Sequence, residues 1–247
     1  MSDNGVNVLA ILQARMSSRR LPGKVLRPIL GRPMLALQLE RLRRCRRIDR
    51  LIVATSTDPS DDPIGALCER EGIGYFRGNL GDVLDRYYQA ALACRPDHVV
   101  RVTADCPLAD PPLIDRVVRF HIEGNYDFTS NAIVRTFPVG LDVGIFRLAV
   151  LADAWREAKR PEEREHVTLF TRRNGARYRI GAYRDTQDRS HYRWTVDEQA
   201  DFDLVRMVYE RLYPVDPAFG TDEIYRLLER DPALMEVNRG VRQHPVS

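Results

Sequence analysis

Arg15, Arg19, Arg20 and Lys24 place four cations within ten residues, with Ser17, Ser18 and Gly23 between them. Cations interleaved with hydroxyls and a flexible backbone suit an anion of high charge, and a triphosphate fits that inventory. The familiar phosphate loops do not match. A G-x-x-x-x-G-K-[ST] loop ending at Lys24 would need Gly at position 18 and Ser or Thr at 25, where this chain has Ser and Val. The dinucleotide pattern G-x-G-x-x-G is absent as well. The plainer alternative is a solvated basic loop that meets an acidic partner. Lys24 and Lys159 are the only lysines among 38 basic residues. A compact ammonium inside an otherwise arginine-built loop points to a contact where a guanidinium does not fit.

Acidic residues supply a second set. Asp105 follows the apolar run His98 to Thr103, and Asp197 follows Tyr192 to Val196. Two carboxylates that each end a strand can converge on one metal ion, though an aspartate in that place, taken singly, is more often a helix cap or turn former. Asp142 interrupts the apolar segment Leu141 to Phe146 and needs a partner such as Arg135 or a bound acceptor. His166, in Arg164-Glu165-His166-Val167-Thr168, is read as a packing or acceptor-contacting residue on a helix, with general-base chemistry as the alternative. Arg135 and Arg193 have the fork geometry to bind an anionic acceptor.

The elements that must position these groups alternate. Strands are expected at Val6 to Gln13, Leu51 to Thr55, Ile73 to Arg77 and His98 to Thr103. Helices are expected from Pro33 through Leu42, Pro63 to Glu71, Asp82 to Cys94 and Pro111 to His121. This order predicts an α/β fold, a mostly parallel sheet with helices on both faces and the basic loop at its carboxyl edge. Beyond it, two short apolar segments flank a loop at 135–140. Helices follow at Leu148 to Lys159 and Glu162 to Arg172, strands at Tyr178 to Tyr183 and Tyr192 to Val196, and helices at Glu198 to Leu212 and Thr221 to Leu228. The ends, 1–4 and 239–247, read as flexible tails of one domain spanning 1–247.

Composition narrows the class. The 247 residues are 44% hydrophobic, and no stretch approaches the roughly 18 apolar residues of a membrane span. A net charge of +3 and 35 acidic residues argue against a nucleic-acid binder. Cys45, Cys68, Cys94 and Cys106 have no C-x-x-C spacing, so a reduced cytoplasmic protein without a structural zinc site is expected.

The segment Ala14-Arg15-Met16-Ser17-Ser18-Arg19-Arg20-Leu21-Pro22-Gly23-Lys24 resembles the A-R-x-x-S-x-R-L-P-x-K signature of the sugar-acid cytidylyltransferases, which include the CMP-KDO and CMP-sialic acid synthetases. The segments "VVRVTADCPLADP", "RTFPVGLDVGIF", "EREHVT" and "RWTVDEQADF" are similar to the subgroup typified by spore-coat polysaccharide biosynthesis protein F. The resemblance covers roughly residues 6 to 235. It implies a Rossmann-like nucleotidyltransferase fold in which Ala14, Arg15, Ser18, Arg20 and Lys24 hold CTP. By the same resemblance Asp105 and Asp197 hold Mg²⁺, and Arg15, Lys24 and Asp105 carry the catalysis. The implied reaction transfers CMP from CTP to an anionic acceptor, a sugar acid or a phosphate or phosphonate compound, and releases pyrophosphate. Arg135, Asp142, His166 and Arg193 are then acceptor candidates, and residues 126–183 form an acceptor and homodimerisation lobe. The chain departs from the subgroup pattern P-D-G-L-D-V-E-V-F at Val139 and Gly144, which replace two acids. A glycosyltransferase and a non-catalytic nucleotide binder are the competing readings. The first usually carries D-x-D, which Asp105-Cys106-Pro107 does not supply.

Overall fold

Alternation along the first strand sets the layering. In the computed structural model, which describes residues 5–242, β1 (Val8–Gln13) turns Val8, Ala10 and Leu12 into one hydrophobic layer and Leu9 and Ile11 into another. All five are fully buried, as a strand covered on both faces requires. The chain continues through a small hairpin, β2 (Pro28–Ile29) and β3 (Arg32–Pro33), then α1 (Met34–Leu42), β4 (Arg50–Ser56), α2 (Asp62–Glu71), β5 (Gly74–Gly78), α3 (Val83–Cys94), β6 (His98–Thr103) and α4 (Pro111–Glu123). The second half adds β7 (Phe128–Ser130), β8 (Gly144–Arg147), α5 (Leu148–Glu157), α6 (Pro161–Glu165), α7 (Leu169–Arg173), β9 (Ile180–Ala182), α8 (Gln199–Leu212), α9 (Thr221–Arg230) and α10 (Ala233–Glu236).

The main sheet has the order β5-β4-β1-β6-β8-β7-β9. Strands β5, β4, β1 and β6 run parallel, β8 runs against both of its neighbours, and β7 pairs in parallel with β9. Helices α1, α2, α4, α8 and α9 cover one face through Leu35, Leu67, Val117, Val205 and Ile224. Helices α3, α5 and α7 cover the other through Leu84, Leu151 and Phe170. The chain moves outward from β1 to β4 and β5, then returns to β6 on the opposite side of β1. That reversal opens a crevice at the carboxyl ends of β1 and β6, where ligands of open α/β sheets bind.

Three expected elements differ. The helix expected at Glu162 to Arg172 is two short ones, α6 and α7, and His166 sits in the break at φ −104°, ψ 87°, not on a helix. The strand expected at Tyr192 to Val196 makes a single isolated bridge, Val139 to Arg193, because its N–H groups serve loops instead of a neighbouring strand. The last strand before it shrinks to β9. Of the expected tails, 1–4 and 243–247 lie outside the described residues, while Val241 N–H closes a turn on the Asn238 carbonyl at 3.0 Å.

Gly140 makes the second half possible. Its φ of +110° favours glycine, and a Cβ there would stand 2.4 Å from the Thr195 nitrogen and 2.6 Å from the Trp194 carbonyl carbon. Gly140→Ala is expected to cost roughly 2 to 6 kcal/mol of stability, from strain and overpacking together, read as a lower urea midpoint. An unchanged midpoint would show that the 192–196 segment relaxes freely.

A buried chain of side chains joins β6, α4 and β7. His98 Nδ1 lies 2.9 Å from His121 Nε2, and His121 Nδ1 lies 2.8 Å from Thr129 Oγ1. Burial, then the charges of His98 and Arg147, push His121 down to about 3, and burial also lowers His98. The folded state therefore keeps His121 neutral where the unfolded chain would protonate it. Its contribution to stability is complete above the unfolded pKa of about 6.5 and is lost as pH falls toward 3. We expect urea midpoints to fall between pH 7.5 and 5, and to fall less in His121→Asn; equal slopes would exclude the pair as the source.

Candidate active site

The crevice has a volume of about 310 Å³ and is lined by the end of β1, the basic loop, the end of β6, α6 and Asp197. One buried carboxylate fixes its basic wall. Asp61 accepts from Met16 N–H at 2.7 Å, from Ser56 N–H at 3.1 Å and from the Ser56 hydroxyl at 2.5 Å, so it ties the loop to the end of β4. The Met16 carbonyl then accepts from Ser18 N–H (2.9 Å) and Gly23 N–H (3.0 Å), and Gly23 turns the chain at φ +69°. A ring of short contacts thus presents Arg15, Ser18, Arg19, Arg20 and Lys24 along one wall, with Ala14 at its base.

The two aspartates meet at Lys24. Its ammonium donates to the Val196 carbonyl (2.5 Å) and to Asp197 Oδ1 (3.1 Å) and lies 3.6 Å from Asp105 Oδ2. The backbone holds this convergence: the Asp105 carbonyl accepts from Val196 N–H at 2.7 Å and from the Thr195 hydroxyl at 3.1 Å. Arg20 adds an ion pair to Asp197 Oδ2 at 3.0 Å. Burial alone would raise the Asp197 carboxyl, but Lys24, then Arg20 and Arg193, overcome it and hold it below the usual carboxylate range.

A fully buried aspartate stands behind this pair. Asp201 accepts two bonds of 2.9 Å from the Arg193 guanidinium, one of 2.9 Å from Asn238, and the N–H groups of Asp197 (3.0 Å) and Glu198 (3.1 Å). With Glu198 it forms the capping box that starts α8. Arg193, expected among the acceptor contacts, spends its guanidinium on Asp201 and Asp197 and does not line the crevice. It acts as a positioning residue for Asp197. Arg135 and Asp142 likewise stand outside the crevice, joined fork to fork at 2.6 and 2.8 Å. Asp142 and Cys106 border a small separate cavity, and burial holds the Cys106 thiol well above its ordinary range.

Arg101, Glu165 and His166 also line the crevice. Arg15 lies 3.7 Å from Glu165. Burial is the main cause that lowers His166, with the positive charges of Arg101 and Arg15 also pushing it down against Glu165. Arg101, Thr103, Glu165, Asp61 and Asp201 were not among the expected site residues. A charge inside Val99-Val100-Arg101-Val102 was the available signal for Arg101, and the Glu198 to Asp201 spacing for the cap.

The carboxylates fit a magnesium ion. The Lys24 ammonium already stands as a cation between their oxygens, and hard oxygen donors match that metal. Among the described residues no three metal-ligating side chains gather, so phosphate oxygens and water would complete the shell.

Fold and site together define a nucleotidyltransferase. Residues 9–227 match the model of the cytidylyltransferase family, and the chain belongs to that family, whose members use CTP. It is 33% identical over 234 residues to spore coat polysaccharide biosynthesis protein SpsF of Bacillus subtilis, covering 92% of this chain and 95% of that one. The fold superposes with a TM-score of 0.89 on a cytidylyltransferase from Leptospira borgpetersenii, 29% identical, covering 97% and 100% of the two chains. It also superposes, at a TM-score of 0.65 and 17% identity, on CMP:2-keto-3-deoxy-manno-octonic acid synthetase complexed with CTP, covering 83% and 99%.

Proposed function

We propose that this enzyme transfers CMP from CTP to an anionic acceptor, a sugar acid or a phosphate or phosphonate compound, with Mg²⁺, in the assembly of a polysaccharide or cell-surface glycan. The observation that carries the reading is the placement of Asp105 and Asp197 on one ammonium beside a loop of arginines, at the switch point of the sheet. An acceptor oxygen forms the new bond to the α-phosphorus, and the bond to the pyrophosphate oxygen breaks. Arg15, Arg20 and Lys24 face the charge that gathers on the departing pyrophosphate. Mg²⁺ held by Asp105 and Asp197 would neutralise the α-phosphate and ease deprotonation of the acceptor hydroxyl. His166, lowered by burial, lines the same crevice. The acceptor class is supported by the relative named for spore coat polysaccharide and by the solved synthetase of a 3-deoxy sugar acid. A homodimer through residues 126–183 belongs to the same reading and rests on the resemblance.

Calorimetric titration of CTP, UTP, GTP and ATP with Mg²⁺ tests the nucleotide. Selective binding of CTP is expected; equal affinity for all four, or none, would remove CTP as the substrate.

A further inference from the structure

Arg101 is out of place for a core strand. It sits in the middle of β6, between Val100 and Val102, and β6 is the strand that carries Asp105 to the crevice. Its Nε is buried without a hydrogen-bond partner, and among the described residues it makes no ion pair. Two other arginines, Arg41 and Arg86, also bury unpaired N–H groups, but each donates to a carbonyl and neither lines the crevice. Arg101 does line it, beside His166 and Glu165. Across the sheet, the residue paired with Arg101 in register is Gly144, whose missing side chain would have stood 3.9 Å from the Arg101 Cβ. Neither register partner of Arg101, Gly144 on one side or Ile11 of β1 on the other, offers a side-chain acceptor, and the space beside Gly144 is taken by Phe128 and Thr168.

A buried N–H without a partner is costly unless something satisfies it, and the rest of the half-buried Arg101 guanidinium is open to the crevice. We propose that Arg101 is the receptor for the acidic group of the acceptor, a carboxylate or a phosphoryl oxyanion, bound in the crevice by charge-assisted hydrogen bonds. The proposal rests on the cytidylyltransferase reading and assigns the acceptor's anion to a particular side chain. The cations of the crevice then divide the work. Lys24, Arg20 and the aspartates serve the triphosphate, while Arg101 holds the acceptor with Glu165 nearby to accept from its hydroxyls.

The test follows the Arg101 Nε–H resonance in the full-length protein, assigned by its loss in Arg101→Gln. The probes are 2-keto-3-deoxy-manno-octonic acid, its neutral reduced alcohol, and methylphosphonate. The resonance is expected to shift with an acid and to stay fixed with the alcohol. A response to the sugar acid identifies a carboxylate receptor, and a response to methylphosphonate alone identifies a phosphoryl one. Gly144→Glu leaves Arg101 in place but offers it a carboxylate from the paired position, and should abolish the response. With the acid that shifts the signal, pyrophosphate release by Arg101→Gln should show an acceptor KM raised at least about tenfold and a CTP KM within about twofold, partly restored by Arg101→Lys. Silence of the resonance to both acids, or an unchanged acceptor KM, would overturn the assignment. If CTP fails to bind the unmodified protein, the parent reading falls; if CTP binds and Arg101 stays silent, only this inference does.

Discussion

Asp105→Asn is expected to lower pyrophosphate release by about 10³-fold or more while leaving the fold intact. The two effects separate because Asp105 has two jobs. Its carbonyl receives Val196 N–H and the Thr195 hydroxyl, and the substitution leaves that carbonyl alone. Its carboxylate faces Lys24 at 3.6 Å, and the amide that replaces it has neither the charge nor the second hard oxygen that a divalent ion needs. Residual turnover should therefore demand far more Mg²⁺, visible as a rightward shift of the magnesium titration, with the thermal midpoint within a few degrees of the parent. A variant that keeps turnover within tenfold, at the same magnesium dependence, would remove Asp105 from the metal site.

Lys24→Ala is the second large effect, about 10² to 10⁴ in turnover. Lys24 is 7% exposed, and its ammonium contacts three oxygens from two distant parts of the chain. Its removal strips one compensating charge from Asp105 and Asp197, yet Arg20 and Arg193 still hold Asp197. The cost in stability should thus stay near 1–3 kcal/mol, below that of a fully orphaned buried charge. Lys24→Arg should not rescue activity, since a planar guanidinium cannot stand among those oxygens without displacing the Val196 carbonyl. The Asp197 carboxyl, freed from its main stabilising neighbour, should rise toward its ordinary range, so the acid limb of the pH profile moves up. Rescue by arginine, or an unmoved acid limb, would contradict the geometry.

The parallel half of the sheet was legible because its strands are short apolar runs between amphipathic helices, and position relative to those runs was enough to place Asp105 and the basic loop at one edge. The solitude of Lys24 in an arginine-rich chain was legible too, and its near-complete burial agrees with the need for a compact cation. What escaped were residues whose meaning is purely tertiary. Asp61 sits in Asp58-Pro59-Ser60-Asp61-Asp62, where nothing distinguishes one acid from the next until Met16 and Ser56 arrive. Arg193 looked like a ligand-binding arginine, but Asp201, one turn into α8, claims it. The run Tyr192 to Val196 has the composition of a strand, yet its backbone bonds go to Val139 and Asp105, which no local pattern announces.

The bond from Lys24 to the Val196 carbonyl spans 172 positions of sequence. During synthesis the cationic loop therefore emerges long before the second carboxylate exists. The centre closes only when α8 and Asn238, which steadies Asp201, have cleared the ribosome. Residues of α8 and α9 pack in the same core as Leu21 and Val25 of the loop, so a chain stopped short of Asp197 and α8 lacks both the second carboxylate and part of the packing that shapes the cationic wall.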